Sequence, residues 1–249
     1  MTEESMRLNR FLSDAGFCSR REGDRLIEAG RVRVNGQVAI LGQKIQPGQD
    51  EIQVDGQLVL ARSPEEEYVY LALNKPQGIT CTSDHRRRDN IIDYLNYPKR
   101  VFHIGRLDRD SEGLILLTDD GSIVNKILRA QNRHEKEYLV ELDKDYDQDF
   151  VRQMQQGVHI LGQTTLPTKV KPLSSRCFRL VLRQGLNRQI RRMCEALGYQ
   201  VVYLQRRRIM NIDLGNLALG HYRELTPKEV RDLKSLLKDS QSDPGPPRY

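Results

Sequence analysis

The chain has 249 residues, of which 38% are hydrophobic and 30% are charged, and its formal net charge is +6. This composition predicts a globular protein, and no apolar run reaches the roughly 18 residues that a membrane span needs. The four cysteines are far apart and form no Cys-x-x-Cys pair, which argues against a zinc site and fits reduced thiols. The first residues are acidic and lack the apolar core of a secretory signal, so we expect a cytoplasmic protein. The positive net charge is compatible with a polyanionic partner.

Two short helices are predicted within residues 6–29. The signals are apolar residues at helical spacing and a candidate N-cap, namely Leu8, Phe11, Leu12 and Ser19. Alternating valines and the turn at Asn35-Gly36 then predict a hairpin. Residues 1–62 are therefore expected to form a compact module, followed by a linker at 63–67 that contains a proline and glutamates.

Arginines are concentrated in both predicted helices and in the strand that follows. Those expected to contact RNA are Arg7, Arg10, Arg20, Arg21 and Arg25. Guanidinium groups pair bidentately with phosphate, so such a face would bind structured RNA mostly through its shape and backbone. The alternative is an ordinary solvated surface, because acidic residues are interspersed among the arginines.

Residues 68–239 are predicted to form a larger domain, in which strands and helices mix without regular alternation. Strand signals lie at 68–73, 101–104, 114–118, 137–142, 178–183 and 201–204. Helical patterns lie at 122–129, 147–156, 187–197 and 227–238, the last with Thr226 as its N-cap. The mixture favours an α+β fold around a largely antiparallel mixed sheet. Residues 240–249 predict a disordered tail.

The most informative segment is the predicted turn from Gly105 to Gly113, which lies between two strands. It places the carboxylate of Asp108 between Arg106 and Arg109. A carboxylate held beside cations stays ionised and can be aimed, which suits an active site. Two alternatives are an acidic turn without chemistry and a calcium loop, because residues 108–119 follow the EF-hand spacing imperfectly.

Three further segments accompany this turn. Leu73-Asn-Lys-Pro-Gln-Gly78 predicts a strand that ends in a rigid turn, and Glu135-Lys-Glu-Tyr138 begins another strand. Gln184-Gly-Leu-Asn-Arg-Gln-Ile-Arg-Arg-Met193 opens a helix whose arginines lie off its apolar face. Together the four segments resemble the RsuA branch of the RNA pseudouridine synthases, and within it the RluF group, which acts on large-subunit ribosomal RNA. Residues 6–60 resemble the RNA-binding module named after ribosomal small-subunit protein four.

The resemblance implies isomerisation of uridine in RNA, in which the N1–C1′ bond breaks and C5 bonds to C1′. Such a reaction needs no cofactor and no metal. By resemblance, Asp108 is the catalytic carboxylate, Tyr138 stacks on the base, and Arg191 pairs with Asp108 and orients it. The first chemical step stays open.

Other residues are expected to contact the RNA around the target. Arg106 and Arg188 are candidates for phosphate contacts, and Leu182 for the apolar wall beside the base. Two basic clusters, at 85–88 with Arg87 and at 206–208, are interpreted as backbone contacts, with solvated loops as the alternative.

The expected partner is ribosomal RNA of the large subunit. Small-subunit RNA and transfer RNA are alternative substrates, and a non-catalytic RNA-binding or ribosome-assembly factor is the alternative from another class. We expect the chain to act as a monomer, without a membrane.

Overall fold

The computed structural model describes residues 5–63 and 65–240, which form two compact units. The first comprises the residues up to 68 together with 119–121, and the second comprises 69–118 and the residues from 122 onward. The predicted linker and domain boundaries stay a prediction. Most of the predicted tail, 241–249, lies outside the described residues, whereas the Ser240 hydroxyl lies 2.9 Å from Nε2 of His134.

The first unit places two helices against short strands. Its elements are β1 (Met6–Arg7), α1 (Leu8–Asp14), α2 (Arg20–Glu28), β2 (Val32–Val34), β3 (Gln37–Val38), β4 (Lys44–Ile45), β5 (Ile52–Val54) and β6 (Gln57–Leu58). The strands form a sheet in the order β3-β2-β5-β6, and β1 pairs with β4. This arrangement confirms the predicted helix pair and hairpin.

Local signals explain why these elements form. The Ser19 hydroxyl accepts a hydrogen bond from the Glu22 amide at 3.1 Å, so it caps α2 as predicted. Asn35-Gly36 and Asp55-Gly56 have positive φ at both positions, which is typical of the type I′ turns that join twisted strands. The predicted stripe of α1 packs in the core, where complete burial of a side chain such as Leu12 contributes about 2 kcal/mol.

The second unit is built on a large mixed sheet. Its strands are β7 (Tyr70–Lys75), β8 (Phe102–Ile104), β9 (Glu112–Thr118), β10 (Lys136–Leu142), β11 (His159–Ile160), β12 (Gln163–Thr164), β13 (Lys169–Pro172), β14 (Cys177–Leu182), β15 (Val201–Ile209), β16 (Ile212–Asp213) and β17 (Tyr222–Glu224). Its helices are α3 (Ile91–Leu95), α4 (Gly121–Leu128), α5 (Gln148–Gln156), α6 (Gln189–Ala196) and α7 (Pro227–Leu236), with a 3-10 turn at Ala130–Asn132.

The sheet runs in the order β13-β14-β10-β15-β9-β7-β17, with β8 beside β9 and β16 beside β15. Strands β15 and β9 pair in parallel, and the other pairs along this order are antiparallel. The predicted α+β class is therefore confirmed.

Strands β7 and β9 are buried along their whole length because both faces of the sheet are covered. Alternate residues of β7 enter different cores: Leu71 and Leu73 pack on one face, and Tyr70 and Ala72 on the other. Helix α7 begins at the predicted cap, where Thr226 and Glu229 form a capping box. Among the described residues, no helix is both long enough and apolar enough to cross a membrane.

Candidate active site

The turn between β8 and β9 is fastened on both sides of Asp108. The Ser111 amide donates to the Asp108 carbonyl at 3.1 Å, which closes the turn. The amide of the buried residue Leu107 donates to Sγ of Cys81 at 3.3 Å. Held in this way, the Asp108 side chain stays partly exposed at the edge of a cavity.

Arg109 does not flank Asp108 as the sequence predicted. Its Nε donates to the Gly78 carbonyl and to a carboxylate oxygen of Asp89, both at 3.1 Å. The Gly78 amide in turn donates to the Arg109 carbonyl at 2.8 Å. Arg109 therefore attaches the turn to the segment after β7, and the ion pair of Asp108 in the described chain is with Arg188, at 3.6 Å.

The segment after β7 forms the rigid turn that was predicted. The Lys75 side chain is fully buried, and its Nζ donates to the carbonyls of Pro76 and Ile79, both at 2.9 Å. Burial lowers the pKa of Lys75, and these carbonyls compensate part of the cost of burying its charge. Lys75 thus supports Gly78, and through it the turn that carries Asp108.

The cavity beside Asp108 has a volume of about 350 Å³, which is within the range of small-ligand sites. Its apolar wall includes Tyr138 on β10, Leu182 on β14 and Leu204 on β15. Tyr138 is 9% exposed and Leu182 is 3% exposed, so both side chains are largely shielded from water. The predicted residues Arg106, Asp108, Tyr138, Leu182, Arg188 and Arg191 all line this one cavity.

Arg188 lies at the start of α6 and holds two acidic residues. Its Nη atoms donate to both carboxylate oxygens of Asp110, at 3.1 and 3.0 Å. The hydrogen bond from Arg188 lowers the pKa of Asp110, which keeps that carboxylate ionised. Because Arg188 is 41% exposed, this pair contributes little to folding stability and can exchange partners when an anion binds.

Arg191 contacts the turn in a different way from the prediction. It forms no ion pair with Asp108 in the described chain; its Nη2 donates to the Asp110 carbonyl at 3.0 Å and to Oγ of Ser111 at 3.2 Å. Its Nη1 donates to the Val201 carbonyl at 2.9 Å. Arg191 is one helical turn deeper in α6 than Arg188, so it reaches the backbone of the turn and, from its Nε at 3.4 Å, the carboxylate of Asp110 rather than that of Asp108.

The calcium-loop alternative fails on geometry. The later positions of that loop lie in β9, where Glu112 is buried and the Tyr203 hydroxyl donates a hydrogen bond to its carboxylate. Across residues 5–63 and 65–240, no group of three His, Cys, Asp or Glu side chains is arranged to hold a metal ion.

The basic cluster at 206–208 is not a continuous surface, so that interpretation is wrong for Arg206. A β-bulge at this point places Arg206 opposite Tyr138 and Arg208 opposite Glu137. Arg206 is 3% exposed and lines the cavity, while Arg208 forms ion pairs with Glu135 and Glu137 on the other face. Sequence reasoning also missed Lys136, although its position two residues before Tyr138 places both on one face of a strand.

The remaining predicted RNA contacts are exposed, but several already have acidic partners. Arg87 bonds to Asp89, Arg10 to Asp14 and Arg25 to Glu22, each at 3.2 Å. Other predicted contacts are exposed arginines that form no ion pair within the described part of the first unit, namely Arg7, Arg20 and Arg21.

Comparison with known proteins agrees with this fold. Residues 69–196 match the model of the RNA pseudouridylate synthase family, and residues 6–52 match the S4 domain. The chain is 52% identical over 246 residues to the dual-specificity RNA pseudouridine synthase RluF of Escherichia coli, covering 99% of this chain and 84% of that protein. It is 38% identical over 239 residues to the ribosomal large subunit pseudouridine synthase B of Bacillus subtilis, covering 92% and 96%. A crystal structure of a pseudouridylate synthase shares 32% identity at a TM-score of 0.66, covering 92% of this chain and 99% of that one.

The matching family model, together with relatives of 52% and 38% identity that cover almost the whole chain, defines the class. The chain belongs to the RNA pseudouridine synthases, enzymes that isomerise uridine in RNA. Within that class it is of the RsuA type and carries an N-terminal S4 domain. The predicted family and enzyme class are confirmed.

Proposed function

We propose that this enzyme converts uridine in large-subunit ribosomal RNA to pseudouridine. The observation that carries the proposal is the Asp108 carboxylate beside a cavity walled by Tyr138 and Leu182. The choice of RNA is supported by the Bacillus subtilis relative, whose name specifies the large ribosomal subunit. A non-catalytic assembly factor would not require a carboxylate held in this way.

In this proposal, the target uridine leaves its stack and enters the cavity, because a base within a duplex is out of reach of Asp108. The uracil stacks on the Tyr138 ring and packs against Leu182. Asp108 then acts at the sugar or base while the N1–C1′ bond breaks and C5 bonds to C1′. Arg106 and Arg188 are exposed at the same cavity and bind phosphates that flank the target.

Arg191 acts as a positioning residue in this proposal, because its contacts hold the turn. Arg191→Gln removes the guanidinium bonds to Asp110, Ser111 and Val201, and is expected to lower the single-turnover rate about 10²-fold, the cost of roughly 1 Å of misplacement. Arg188→Gln removes an exposed contact and is expected to lower the rate less than about tenfold. Release of tritium from C5-tritiated RNA measures both rates. A larger loss for Arg188→Gln would contradict this division of roles.

The S4 domain is proposed to supply affinity rather than choice of base. Arg7, Arg20 and Arg21 are exposed on it without ion pairs in the described residues, so their charges are available to phosphate. Arg10 and Arg25 would first have to leave Asp14 and Glu22. Arg87, which is paired with Asp89, would likewise have to exchange its partner, as exposed pairs do at small cost.

We propose that the enzyme acts as a monomer in the cytoplasm. The relatives named above come from bacteria, in which ribosomal RNA is made and modified in that compartment. Transfer RNA stays an alternative substrate; the name of the Escherichia coli relative specifies dual specificity without naming either RNA.

A comparison of substrates tests the proposal. Unmodified large-subunit RNA, small-subunit RNA and transfer RNA, each made with C5-tritiated uridine, are incubated separately with the purified enzyme. We expect tritium release from the large-subunit RNA, and mapping of the product locates the uridine. Release from small-subunit RNA or transfer RNA alone would overturn the assignment of the large subunit, and release from none would overturn the function.

A further inference from the structure

Two cationic side chains that are less exposed than Arg106 and Arg188 line the cavity without a role in the mechanism above. The first is Arg206 on β15, whose Nε donates to the Leu114 carbonyl at 2.7 Å. Its Nη2 is buried without a hydrogen-bond partner, and within residues 5–63 and 65–240 it forms no ion pair with a carboxylate. This guanidinium is therefore fixed at one end and unsatisfied at the other.

The second is Lys136 on β10, at the same cavity. Its Nζ has one hydrogen bond in the described chain, a long one of 3.5 Å to the His134 carbonyl. The neighbouring carboxylates of Glu135 and Glu137 lie on the opposite face of the strand, where Arg183 and Arg208 bind them. Burial, and next the charge of Arg206, lower the pKa of Lys136 to about 8.

Two like charges that line one cavity without an ion pair to a carboxylate in the described chain repel each other. An acceptor that carries negative charge and enters the cavity would satisfy both. The two cations flank Tyr138: Lys136 precedes it by two residues on β10, and Arg206 lies opposite it on β15. Any group that packs against the Tyr138 ring is therefore within the field of both.

We propose that Lys136 and Arg206 bind the oxygens of the uracil ring and stabilise the negative charge that develops on it; this rests on the function proposed above. When the N1–C1′ bond breaks, its electron pair stays on N1 and is delocalised over O2 and O4. The charge disappears when C5 bonds to C1′, the C5 proton leaves to solvent and N1 regains a proton. Fixed cations at these oxygens favour this charge more than the neutral base, which is how a site accelerates a reaction.

A phosphate of the RNA is the other anion that could meet these cations, but its place is less suitable. The exposed arginines Arg106 and Arg188 line the same cavity and are the residues proposed above to bind phosphates. Arg206 is almost completely buried beside the ring on which the base is proposed to stack. The uracil oxygens are therefore the acceptors that this position fits.

Lys136→Met is the direct test, with the single-turnover rate and the dissociation constant of RNA measured separately. We expect the rate at saturating enzyme to fall about 10²-fold while the dissociation constant changes less than about twofold. Lys171→Met is the matched control, because Lys171 is an exposed lysine on β13 and does not line the cavity. It is expected to leave both quantities unchanged.

The pH dependence separates a charge effect from a structural one. The charged or titratable residues that share the cavity with Lys136 are Arg106, Asp108, Tyr138, Arg188, Arg191 and Arg206. Lys136 is charged below about pH 8 and neutral above it, so the wild-type rate is expected to fall as the pH rises through 8. Lys136→Arg keeps its charge, so it is expected to restore activity and to remove this fall.

Two results would overturn the inference while the wild-type enzyme remains active. One is a rate in Lys136→Met equal to that of the wild type. The other is weaker RNA binding with an unchanged rate and a salt dependence reduced by about one phosphate contact, which would place a phosphate there instead. An inactive wild-type enzyme would instead overturn the proposed function itself.

Discussion

Replacing Asp108 by Asn is expected to abolish isomerisation, with a loss of about 10⁴-fold or more, as for the removal of a reacting carboxylate or nucleophile. Asparagine keeps the shape of the side chain but has no negative charge to act at the sugar or the base. Folding should change little, because the Asp108 side chain is 31% exposed and its ion pair with Arg188 is long, at 3.6 Å.

Tritium release from C5-tritiated RNA measures the loss, and the dissociation constant of the same RNA shows whether binding survives. Asp110→Asn is the matched control, because Asp110 is the neighbouring carboxylate and is bound by both Arg188 and Arg191. It is expected to stay within about tenfold of the wild type, since an exposed ion pair is worth little. If Asp108→Asn keeps more than a tenth of the activity, the catalytic assignment fails.

Much of the fold could be predicted because its signals are local. The caps at Ser19 and Thr226 depend on a hydroxyl and an amide three residues apart, so a short stretch of sequence contains both partners. The strands at 112–118 and 136–142 are long apolar or alternating runs. Strands β13 and β17 were missed because they are short, polar and at the ends of the sheet order, where pairing rather than side-chain pattern defines them.

The sequence predicted which residues belong to the candidate site, but not which of them contact each other. Motif resemblance placed Asp108, Tyr138 and Arg191 together, and they do line one cavity. It did not place Arg188 as the partner of Asp108, because that choice depends on where α6 begins relative to the turn. Arg206 could not be located either, since the bulge in β15 changes which of three adjacent arginines faces inward.

Gly113→Ala is expected to lower the free energy of unfolding of the second unit by about 3 kcal/mol or more. Gly113 has φ +106°, in the region that L side chains rarely adopt. A Cβ atom there would lie 2.4 Å from the Arg206 carbonyl oxygen and 2.6 Å from its amide nitrogen. These are backbone atoms at the point where β9 and β15 pair in parallel, so the strain cannot be relieved by a side-chain rotation.

Urea denaturation followed by circular dichroism measures the change, and Gly162→Ala is the matched control. Gly162 has φ +74° in the same unit, but a Cβ atom there would meet nothing within 4 Å, so it reports the backbone strain alone, about 1–2 kcal/mol. Equal losses for the two variants would show that the strand contact is not responsible. Gly113 is the second residue of β9, directly after the turn that carries Asp108, and it pairs with Arg206, which lines the cavity. Any Gly113→Ala protein that remains folded should therefore also be slower at isomerisation than Gly162→Ala. Gly113 would then be required for two reasons: the close approach of β9 and β15, and the position of the Asp108 carboxylate in the preceding turn.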